Sequence, residues 1–516
     1  MKIRINGLAV VAAAVLGAAL LPGSGVALAG ACEPGGPDFN GDNCADLAVA
    51  DPDATVSGKQ HAGRVTVVYG GDSASPAVLS QGQAGVNGTP ETDDRFGTAV
   101  RAARINNDGF DDLVVSTPSE SVGSADDAGI IHVVYGSAGG LGAGAAGLTV
   151  RQGLHGVPGT PEAGDRFGAA LAVNTTTGDS GSAPAIAFGA PGENIGSVSD
   201  AGTAGVVAFD YATGEVSAAA AIDQDSAGIS NTVEAGDRFG AAVEVFQGPG
   251  GFFCDVTGVD GFTLVVGAPA EDLSGVRDAG MVHVARDLNS DTPVSQNSPG
   301  VDGTSEAGDQ FGSSLALTSY CEHDGPSHVT LAVGVPTENI GDVTDAGMMH
   351  LFRTDDDELP LPHLYSVHQG TAGVLGSVEA GDRFGTAVTL GGPWQGDGVG
   401  EPVLVNAPGE DVGTAADAGA LYIFGDLEDA PGDSEIRITH PDIAEPAAAG
   451  DHFGTVVVSH ADYLYIGVPD DARYPQGVVH GLVWDHLLGD GEGRQLLMPG
   501  SDGIPTGAAR FGAGLA

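Results

Sequence analysis

The feature that most constrains the fold of this chain is a Phe-Gly pair that returns along its whole length. The first and last pairs lie 415 residues apart, so the mean spacing is about 69 residues. The seven pairs are Phe96-Gly97, Phe167-Gly168, Phe239-Gly240, Phe311-Gly312, Phe384-Gly385, Phe453-Gly454 and Phe511-Gly512. A short apolar run ending in Gly-Ala-Pro or a near variant shares this period, and it ends at Pro52, Pro118, Pro191, Pro269, Pro336, Pro408 and Pro469. Two motifs locked in one long period indicate a repeat architecture.

Each repeat contains four short apolar runs with the pattern of β-strands. In the second repeat we predict strands A to D at residues 96–100, 113–116, 130–135 and 148–151. Such runs are rich in Val, Ile and Leu and are bounded by Gly, Asp and Pro, as strands are. No segment after the N-terminal stretch has a sustained helical period. Four antiparallel strands repeated seven times predict an all-β, seven-bladed propeller.

The two ends of the chain complement each other. The first repeat starts at a predicted B strand, 47–50, followed by C at 64–69 and D at 77–80, whereas 510–515 is an A strand with nothing after it. In an open array both fragments would leave exposed edge strands with unpaired backbone N–H and C=O groups, which promote aggregation. We therefore predict a ring closed by the C-terminal strand, which joins the N-terminal blade. The propeller would span 38–516, after a short segment at 30–37.

The first 29 residues predict an export signal. Lys2 and Arg4 precede an apolar run at 8–21, and Ala27-Leu28-Ala29 supplies a cleavage pattern of small residues. The run is short for a membrane anchor, and no other segment approaches the roughly 18 to 20 apolar residues that a transmembrane helix needs. We expect a cleaved signal peptide, no transmembrane segment and a secreted protein.

Four cysteines fit an oxidising exterior. Cys32 and Cys44 are close enough in sequence to close a small loop, and we predict a bridge between them. Cys254 and Cys321 each lie fifteen residues before the proline that ends the apolar run of their repeat. Equal offsets in consecutive repeats place both on neighbouring loops of one face, which suggests a second bridge.

The net charge excludes some partners. The chain has 69 acidic against 18 Lys and Arg residues, for a formal net charge of −51. Nucleic acids and anionic membranes both require basic patches, so neither is an expected partner. Solubility in a salty exterior accounts for such acidity, and divalent-cation binding is the alternative.

The two repeated motifs together resemble a known family. Phe239-Gly240 followed by Gly267-Ala268-Pro269 resembles the FG-GAP repeat of the integrin α-subunit propeller, and the resemblance covers essentially the whole chain after residue 29. We expect Phe to fill the space between blades and the small residues to let neighbouring sheets approach closely. Related repeats occur in adhesion receptors, in glycosylphosphatidylinositol-specific phospholipase D and in many secreted bacterial proteins.

This resemblance implies calcium loops of the form Asp-x-Asp/Asn-x-Asp-Gly-x-x-Asp between strands A and B. Calcium needs several oxygen ligands around a tight turn, whose sixth position has a left-handed backbone. Asn43 holds that position in the first blade, and Asn tolerates the conformation better than most residues. An Asx-rich turn without metal is the alternative. The predicted first-blade ligands are Asp38, Asn40, Asp42, Asp46 and the carbonyl of Cys44.

A second, weaker calcium loop is predicted in the second blade. Its ligands would be Asn106, Asp108 and Asp112. Arg104 stands at the first ligand position, where it removes an oxygen and adds a positive charge. The closing position is Thr263 in the fourth blade and Thr330 in the fifth, so we expect calcium in the first blade and, at most, in the second.

A further carboxylate series lies between strands B and C. Its five pairs, each seven residues apart, are Glu120 and Asp127, Glu193 and Asp200, Glu271 and Asp278, Glu338 and Asp345, and Glu410 and Asp417. Five near-identical pairs are too many for one catalytic couple. We interpret them as braces that hydrogen-bond backbone N–H groups of the turn. Additional cation sites, or an acidic ring facing a ligand, are the alternatives.

Catalytic signatures are scarce in this sequence. It contains no Gly-x-Ser-x-Gly elbow, His-Glu-x-x-His helix or phosphate loop, and we attribute the histidines of the C strands to packing. We predict a monomeric, calcium-stabilised, non-catalytic binding or adhesion module of integrin-α type that recognises an extracellular protein or glycan. Its binding loops would be 246–262 and 390–401. The alternative is an extracellular hydrolase, phospholipase-like or esterase-like, built on the same propeller.

Overall fold

A computed structural model of the chain describes most residues after the predicted export signal. The described residues are 32, 34–71, 75–83, 85–174, 183–247, 249–250, 254–255, 262–320, 328–354, 361–391, 402–425, 435–443, 445–460, 462–484, 487 and 494–516. The predicted signal peptide, 1–29, lies outside them. Among the described residues, no helix is long and apolar enough to cross a membrane.

Seven four-stranded antiparallel sheets form a β-propeller, as the repeats predict. Blade 1 consists of β1 (Leu47–Asp51), β2 (Arg64–Val68), β3 (Ala77–Leu79) and the last strand, β30 (Gly514–Leu515). Blade 2 has β4 (Val100–Ala103), β5 (Asp112–Thr117), β6 (Ile130–Val134) and β7 (Leu148–Val150), and blade 3 has β8 (Ala170–Asn174), β9 (Ala185–Ala190), β10 (Thr203–Phe209) and β11 (Val216–Ile222).

The remaining blades follow the same order. Blade 4 has β12 (Ala242–Gln247), β15 (Phe262–Ala268), β16 (Met281–Arg286) and β17 (Ser290–Val294), and blade 5 has β18 (Ser314–Tyr320), β19 (His328–Val335), β20 (Met348–Thr354) and β21 (His363–Val367). Blade 6 has β22 (Val388–Leu390), β23 (Val403–Ala407), β24 (Ala420–Phe424) and β25 (Glu435–Ile438), and blade 7 has β26 (Val456–His460), β27 (Tyr463–Val468), β28 (Val478–Val483) and β29 (Gln495–Leu497). A short parallel ribbon, β13 (Pro249–Gly250) with β14 (Cys254–Asp255), and a 3-10 turn at His440–Ile443 complete the assignment.

The C-terminal strand closes the ring. β30 pairs antiparallel with β1, with Leu515 opposite Val49. The Ala48 N–H donates to the Ala516 carbonyl oxygen at 2.7 Å, and the reciprocal bond is 3.0 Å. The prediction that the last strand completes the first blade is therefore confirmed.

The Phe-Gly pair lies in a turn before strand A, so the predicted start of that strand is wrong. β4 begins at Val100, after Arg95 (φ 60°) and Gly97 (φ 95°) have left the extended conformation. The Phe96 N–H donates to the Ala62 carbonyl oxygen of blade 1 at 3.0 Å. The turn is thus bonded to the preceding blade at Phe96 and to its own blade at Gly97, whose N–H donates to the Ser116 carbonyl oxygen at 3.0 Å. The last A strand is likewise shorter than predicted, covering only 514–515.

The motif residues have the structural roles expected of them. All seven motif Phe side chains are 0% exposed, and Phe239 packs in a cluster that contains residues of both blade 3 and blade 4. A Cβ on Gly267 would lie 2.2 Å from the Gly312 carbonyl oxygen of the next blade. Glycine is therefore needed at this position for the two sheets to approach as closely as they do.

A second glycine fixes the turn that receives each Phe. Gly280 has φ 84°, and a Cβ there would lie 2.4 Å from both the N and the O of Phe311. Equivalent glycines lie against the motif Phe of the following blade at Gly63, Gly129, Gly202, Gly347, Gly419 and Gly477. Each blade therefore docks on its neighbour through main-chain contact as well as through side-chain packing.

One of the two predicted disulfides is present, joining Cys32 to Cys44. The second lies outside the described residues, which include neither Cys321 nor the side chain of Cys254.

Candidate metal centre

The acidic loop before β1 is coiled by its own side chains. The Asp38 Oδ1 accepts hydrogen bonds from the N–H groups of Gly41 (2.6 Å) and Asp42 (3.1 Å), and its Oδ2 accepts one from Asn43 (2.9 Å). The Asn40 Oδ1 accepts a bond from the Asp42 N–H at 2.9 Å, and the Asn40 Nδ2 donates to the Asp42 Oδ2 at 3.1 Å. Three of the predicted ligands, at alternate positions, therefore lie in one hydrogen-bonded turn.

The backbone of the first-blade loop has the predicted conformation at its sixth position. Asn43 has φ 63°, in the left-handed region. The next residue, Cys44, donates its N–H to the Asp42 Oδ1 at 2.9 Å and is tethered by its disulfide to Cys32. The carbonyl that would be the fifth ligand thus belongs to a covalently anchored residue.

Asp46 attaches the loop to the blade. Its side chain is 1% exposed, its Oδ2 accepts the Phe39 N–H at 2.8 Å, and its Oδ1 accepts the Gly70 N–H at 2.9 Å. Burial raises the pKa of Asp46 to about 7, against the lowering effect of those two N–H groups, and nearby Asp38 and Asp42 raise it further. A cation would relieve the repulsion among these carboxyl groups, which adds to the larger effect of burial on this pKa.

The donor chemistry of the first-blade loop fits calcium. Three carboxylates, one side-chain amide oxygen and one main-chain carbonyl are the hard oxygen donors that this ion takes. Asp46 already accepts a main-chain hydrogen bond at each of its oxygens, so its contribution to a metal would be shared with the backbone. Calcium at this loop is a proposal, developed below.

The second-blade loop repeats part of this geometry. Asp112 is 0% exposed; its Oδ2 accepts the Ile105 N–H at 3.0 Å and its Oδ1 accepts the Gly136 N–H at 2.9 Å. Burial raises the pKa of Asp112 to about 7. The Asn106 Oδ1 accepts the Asp108 N–H at 3.0 Å. The bonds of Asp112 match those of Asp46, and the bond accepted by Asn106 matches the one accepted by Asn40.

Arg104 distinguishes the second loop from the first. Its Nε lies 2.7 Å from the Asp111 Oδ1, and the Asp111 Oδ2 accepts the Asp38 N–H at 2.7 Å. The guanidinium therefore stands where the first loop has its leading carboxylate, and Asp111 joins the two loops. The second loop lacks one anionic donor, which makes it the weaker of the two candidates.

The carboxylates between strands B and C do not brace the turn in the way we predicted. The bracing bond comes from the residue after Glu: the Asn194 Oδ1 accepts the Asp200 N–H at 3.1 Å, and the Asp272 Oδ1 accepts the Asp278 N–H at 2.9 Å. The Asp of each pair has a left-handed backbone, with φ of 50° to 54° at Asp127, Asp200, Asp278, Asp345 and Asp417. The main-chain carbonyl of that Asp accepts an N–H of the next blade, as from Arg166 to Asp127 at 3.0 Å.

The Glu of each pair contacts a glutamine of the preceding blade instead. The Gln Nε2 to Glu Oε2 distances are 2.7 Å for Gln81–Glu120, 2.5 Å for Gln152–Glu193, 2.5 Å for Gln224–Glu271, 2.7 Å for Gln296–Glu338 and 2.5 Å for Gln369–Glu410. Burial raises the pKa of Glu120, Glu193, Glu271 and Glu338 to about 7. These glutamines were not predicted to be functional, although each stands fifteen residues before a motif Phe.

The junction between blades 6 and 7 has a different polar group. His440 lies between two buried carboxylates, with its Nδ1 3.3 Å from an Asp451 oxygen and its Nε2 3.3 Å from an Asp471 oxygen. Burial alone would raise the pKa of Asp471, but hydrogen bonds from His440 and Arg473 hold that pKa well below its usual range. An imidazole thus replaces the Gln of the five preceding junctions, and aspartate replaces Glu.

This histidine group contains four side chains spaced as metal ligands can be. Ligand atoms of His440, Glu445, Asp471 and His480 all lie within 4.8 Å of one another. Arg473 already pairs with Asp471 at 2.6 Å and with Glu445 at 2.7 Å, and Arg494 also pairs with Glu445. Because the carboxylates are neutralised by these guanidinium groups, the arrangement is that of a buried ion-pair network.

The histidines of the C strands pack on the motif Phe, as the sequence indicates. Ring centroids lie 5.4 Å apart for Phe96 and His132, 5.2 Å for Phe239 and His283, 5.4 Å for Phe311 and His350, and 6.0 Å for Phe453 and His480. Burial lowers the pKa of His132 to about 4, so this ring is neutral in the folded protein near pH 7.

Comparison with known proteins agrees with this geometry. A family model described as "FG-GAP repeat" matches residues 34–68 and 96–134, which contain the first-blade loop with β1 and β2, and the Phe96 turn with β4 to β6. This chain contains FG-GAP repeats. The matched repeats lie in blades 1 and 2, and the seven-bladed arrangement is consistent with a propeller of the integrin-α kind.

Among curated proteins, a segment of this chain is similar to phosphatidylinositol-glycan-specific phospholipase D. Identity is 35% over 101 residues for the Mus musculus protein, 35% over 103 for that of Rattus norvegicus and 34% over 103 for that of Bos taurus. Each match covers 19% of this chain and only 12% of the relative. Among solved structures, the periplasmic gluconolactonase of Pseudomonas aeruginosa matches with 12% identity and a TM-score of 0.40, over 90% of this chain and 99% of that one.

Proposed function

We propose that this chain is a secreted, calcium-stabilised, non-catalytic binding or adhesion module of integrin-α type, whose ligand is an extracellular protein or glycan. The observation that carries the proposal is the first-blade loop, where Asp38, Asn40 and Asp42 form one turn anchored by Asp46. Such a set of oxygen donors, in a seven-bladed ring of FG-GAP repeats, favours a calcium-dependent scaffold over a plain acidic surface.

In this proposal calcium orders one edge of the ring. At the first loop, a bound ion would offset the negative charges of Asp38, Asp42 and Asp46. Asp38 also bonds through its N–H to Asp111 of the second loop, so the order of the first loop extends to blade 2. A rigid ring then presents its connecting loops to the ligand. The two loops expected to bind, 246–262 and 390–401, lie largely outside the described residues.

Thermal melting with and without calcium tests the metal part of the proposal. An ion that binds only the folded state stabilises it, by about 2.7 kcal/mol at a concentration 100 times its dissociation constant. Asp42→Ala removes a ligand and should lose the contribution of the first loop. Asp108→Ala, the matched change in the weaker second loop, should retain most of the calcium response. Equal responses in Asp42→Ala and the wild type would reject the first-loop site.

Ligand arrays test the binding part. The purified chain should bind a subset of extracellular proteins or glycans, and a chelator should weaken that binding. The Asp42→Ala variant should show the same weakening in the presence of calcium. A chain that binds nothing on either array, while still responding to calcium in melting, would leave the metal site standing and contradict the binding module.

An extracellular hydrolase is the second candidate function. It is favoured by the similarity to phosphatidylinositol-glycan-specific phospholipase D, whose matched segment is 12% of that protein's length. Screening the secreted chain on ester, phosphodiester and glycan substrates separates the two candidates. Turnover that is abolished by changing one loop carboxylate would favour the hydrolase over the binding module.

A further inference from the structure

The junctions between blades contain a second set of acidic residues, distinct from the calcium loops. At each such junction one Asp and one Glu form a pair. The Asp stands two residues before a motif Phe, and the Glu stands two residues after the proline that ends strand B. We call these junction carboxyl pairs: Asp94 and Glu120, Asp165 and Glu193, Asp237 and Glu271, Asp309 and Glu338, and Asp382 and Glu410. All five aspartates are at most 2% exposed. The Asp and Glu of each pair interact electrostatically, so two carboxyl groups lie near each other at five positions around the ring, and both are buried in every pair except that of Glu193.

The junction between blades 4 and 5 illustrates the geometry. The Gln296 Nε2 donates to the Glu338 Oε2 at 2.7 Å, and the Asp309 Oδ2 accepts the Glu306 N–H at 2.5 Å. Two further side-chain oxygens at this junction, Gln296 Oε1 and Asp309 Oδ1, are buried without a hydrogen-bond partner. Two unsatisfied acceptors thus lie beside a buried carboxylate, and buried acceptors of this kind normally have a partner.

The unsatisfied glutamine oxygen recurs at every junction of this type. Each of these glutamines is at most 3% exposed, and in each the amide nitrogen contacts Glu while Oε1 has no partner: Gln81, Gln152, Gln224, Gln296 and Gln369. Asp165 Oδ1, like Asp309 Oδ1, has no N–H or hydroxyl donor, and the Asp165 carboxyl group lies within hydrogen-bond reach of Glu193. The unpartnered amide oxygen recurs at all five junctions, so the charge beside it is what distinguishes them.

Positive charge is distributed unevenly among the junctions. Between blades 5 and 6, Arg437 lies 3.0 Å from the Glu410 Oε1. Between blades 6 and 7, His440 contacts both equivalent aspartates, Asp451 and Asp471, and Arg473 contacts Asp471. Between blades 7 and 1, Ala54 and Ala509 stand at the two carboxyl positions. At the other four junctions, no Lys, Arg or His among the described residues forms an ion pair with the carboxyl pair.

We infer that each of these four junctions, between blades 1 and 2, 2 and 3, 3 and 4, and 4 and 5, binds one calcium-type divalent cation through the Gln Oε1 and the oxygens of the junction carboxyl pair. The donors are all hard oxygens, which is the ligand class of this ion. The cation satisfies the acceptors that lack partners and offsets two like charges that form no ion pair with a basic side chain of the described residues. Burial raises the pKa of Asp94 and of Asp237, against the lowering effect of Lys59 on the first and of His283 on the second. Water supplies the remaining ligands. The ions then join neighbouring blades, because the Gln comes from one blade and the carboxyl pair from the next.

The matched test compares one proposed junction with the junction that has its own cation. Glu338→Gln removes a carboxylate between blades 4 and 5, whereas Glu410→Gln makes the same change beside Arg437. Full-length chain stripped with a chelator is dialysed to equilibrium against radioactive ⁴⁵Ca²⁺ in potassium chloride. We expect Glu338→Gln to bind one ion fewer than the wild type and Glu410→Gln to bind the same number.

Two further measurements distinguish the loss of a calcium ligand from the loss of the fold. Gln296→Met preserves the bulk of the side chain and both carboxylates but removes the unsatisfied oxygen, and it should also weaken binding at one site. Without calcium, Glu338→Gln should melt no lower than the wild type, since it removes one of two neighbouring like charges. The inference is overturned if Glu338→Gln and Gln296→Met bind as much calcium as the wild type, or if Glu410→Gln loses an ion as Glu338→Gln does. Asp42→Ala changes the first-blade loop alone, so the proposed first-blade site and the proposed junction sites are tested independently.

Discussion

Replacing Gly280 by alanine tests whether main-chain contact between blades holds the ring. Gly280 (φ 84°) lies against the next blade, while Gly275 (φ 87°) in the same connection has nothing within 4 Å of the place where a Cβ would lie. Alanine costs about 1 to 2 kcal/mol in a left-handed conformation, and both variants share that cost. They differ only in what the added methyl group meets.

The additional cost at Gly280 follows from its contacts. The new Cβ would lie 2.4 Å from the N and the O of Phe311, so blade 5 must move away from the turn. That movement breaks the bonds from Phe311 to Ala279 (3.0 Å) and from Gln310 to Asp278 (3.1 Å), each worth about 0.5 to 1.5 kcal/mol. It also loosens Phe311, which is 0% exposed and whose full burial is worth about 1.5 to 3 kcal/mol. We expect Gly280→Ala to cost about 3 kcal/mol more than Gly275→Ala.

Urea unfolding is the suitable assay for this comparison. Unfolding entropy scales with length, at about 2.1 cal/mol/K per residue, so 1 kcal/mol shifts the melting temperature of a chain this long by only about 1 °C. The free energies of unfolding should therefore come from urea midpoints and slopes. Equal destabilisation of the two variants would mean that the Gly280–Phe311 contact is dispensable, and it would refute main-chain docking between blades.

Two further predictions concern ring closure and pH. Deleting residues 510–516 removes the buried Phe511 and Leu515 together with the main-chain bonds to β1, so the free energy of unfolding in urea should fall by at least about 5 kcal/mol; a loss below about 1 kcal/mol would contradict the closed ring. Burial lowers the pKa of His132 from 6.5 to about 4, so its neutral form stabilises the fold above pH 6.5, and this stability is lost as the pH falls towards 4. The wild type should therefore lose about 3 kcal/mol relative to His132→Leu over that range, and a difference that does not change with pH would refute it.

The fold was predictable because its signals are local and repeated. The sequence predicts the ends of the B and C strands to within one or two residues, as with β5 at Asp112–Thr117, because their apolar runs end at Pro or Gly. The A strands were placed too early, since Phe96 is apolar like a strand residue yet donates its N–H to another blade. The hydrogen-bond partner of Phe96 lies about 30 residues earlier in the chain, so the sequence pattern around Phe96 cannot reveal it.

The junction residues could not be found from spacing inside one repeat. Gln296 and Glu338 are 42 positions apart and belong to different blades, so no local motif contains both. Aligning the repeats on their Phe would have shown the recurring Gln, but its partner depends on how neighbouring blades meet. The first-blade loop was predictable for the opposite reason, because its donors lie within nine consecutive residues.

The pairing of Leu515 with Val49 has a consequence for biosynthesis. At a translation rate of about 5 to 20 residues per second, the ribosome finishes the partner strand on the order of 20 to 90 s after it makes β1. During that interval the nascent first sheet lacks one strand, and its open side can recruit any other extended polypeptide nearby. A cell that makes this protein must therefore shield the newborn chain, or delay its folding, until the last residues emerge.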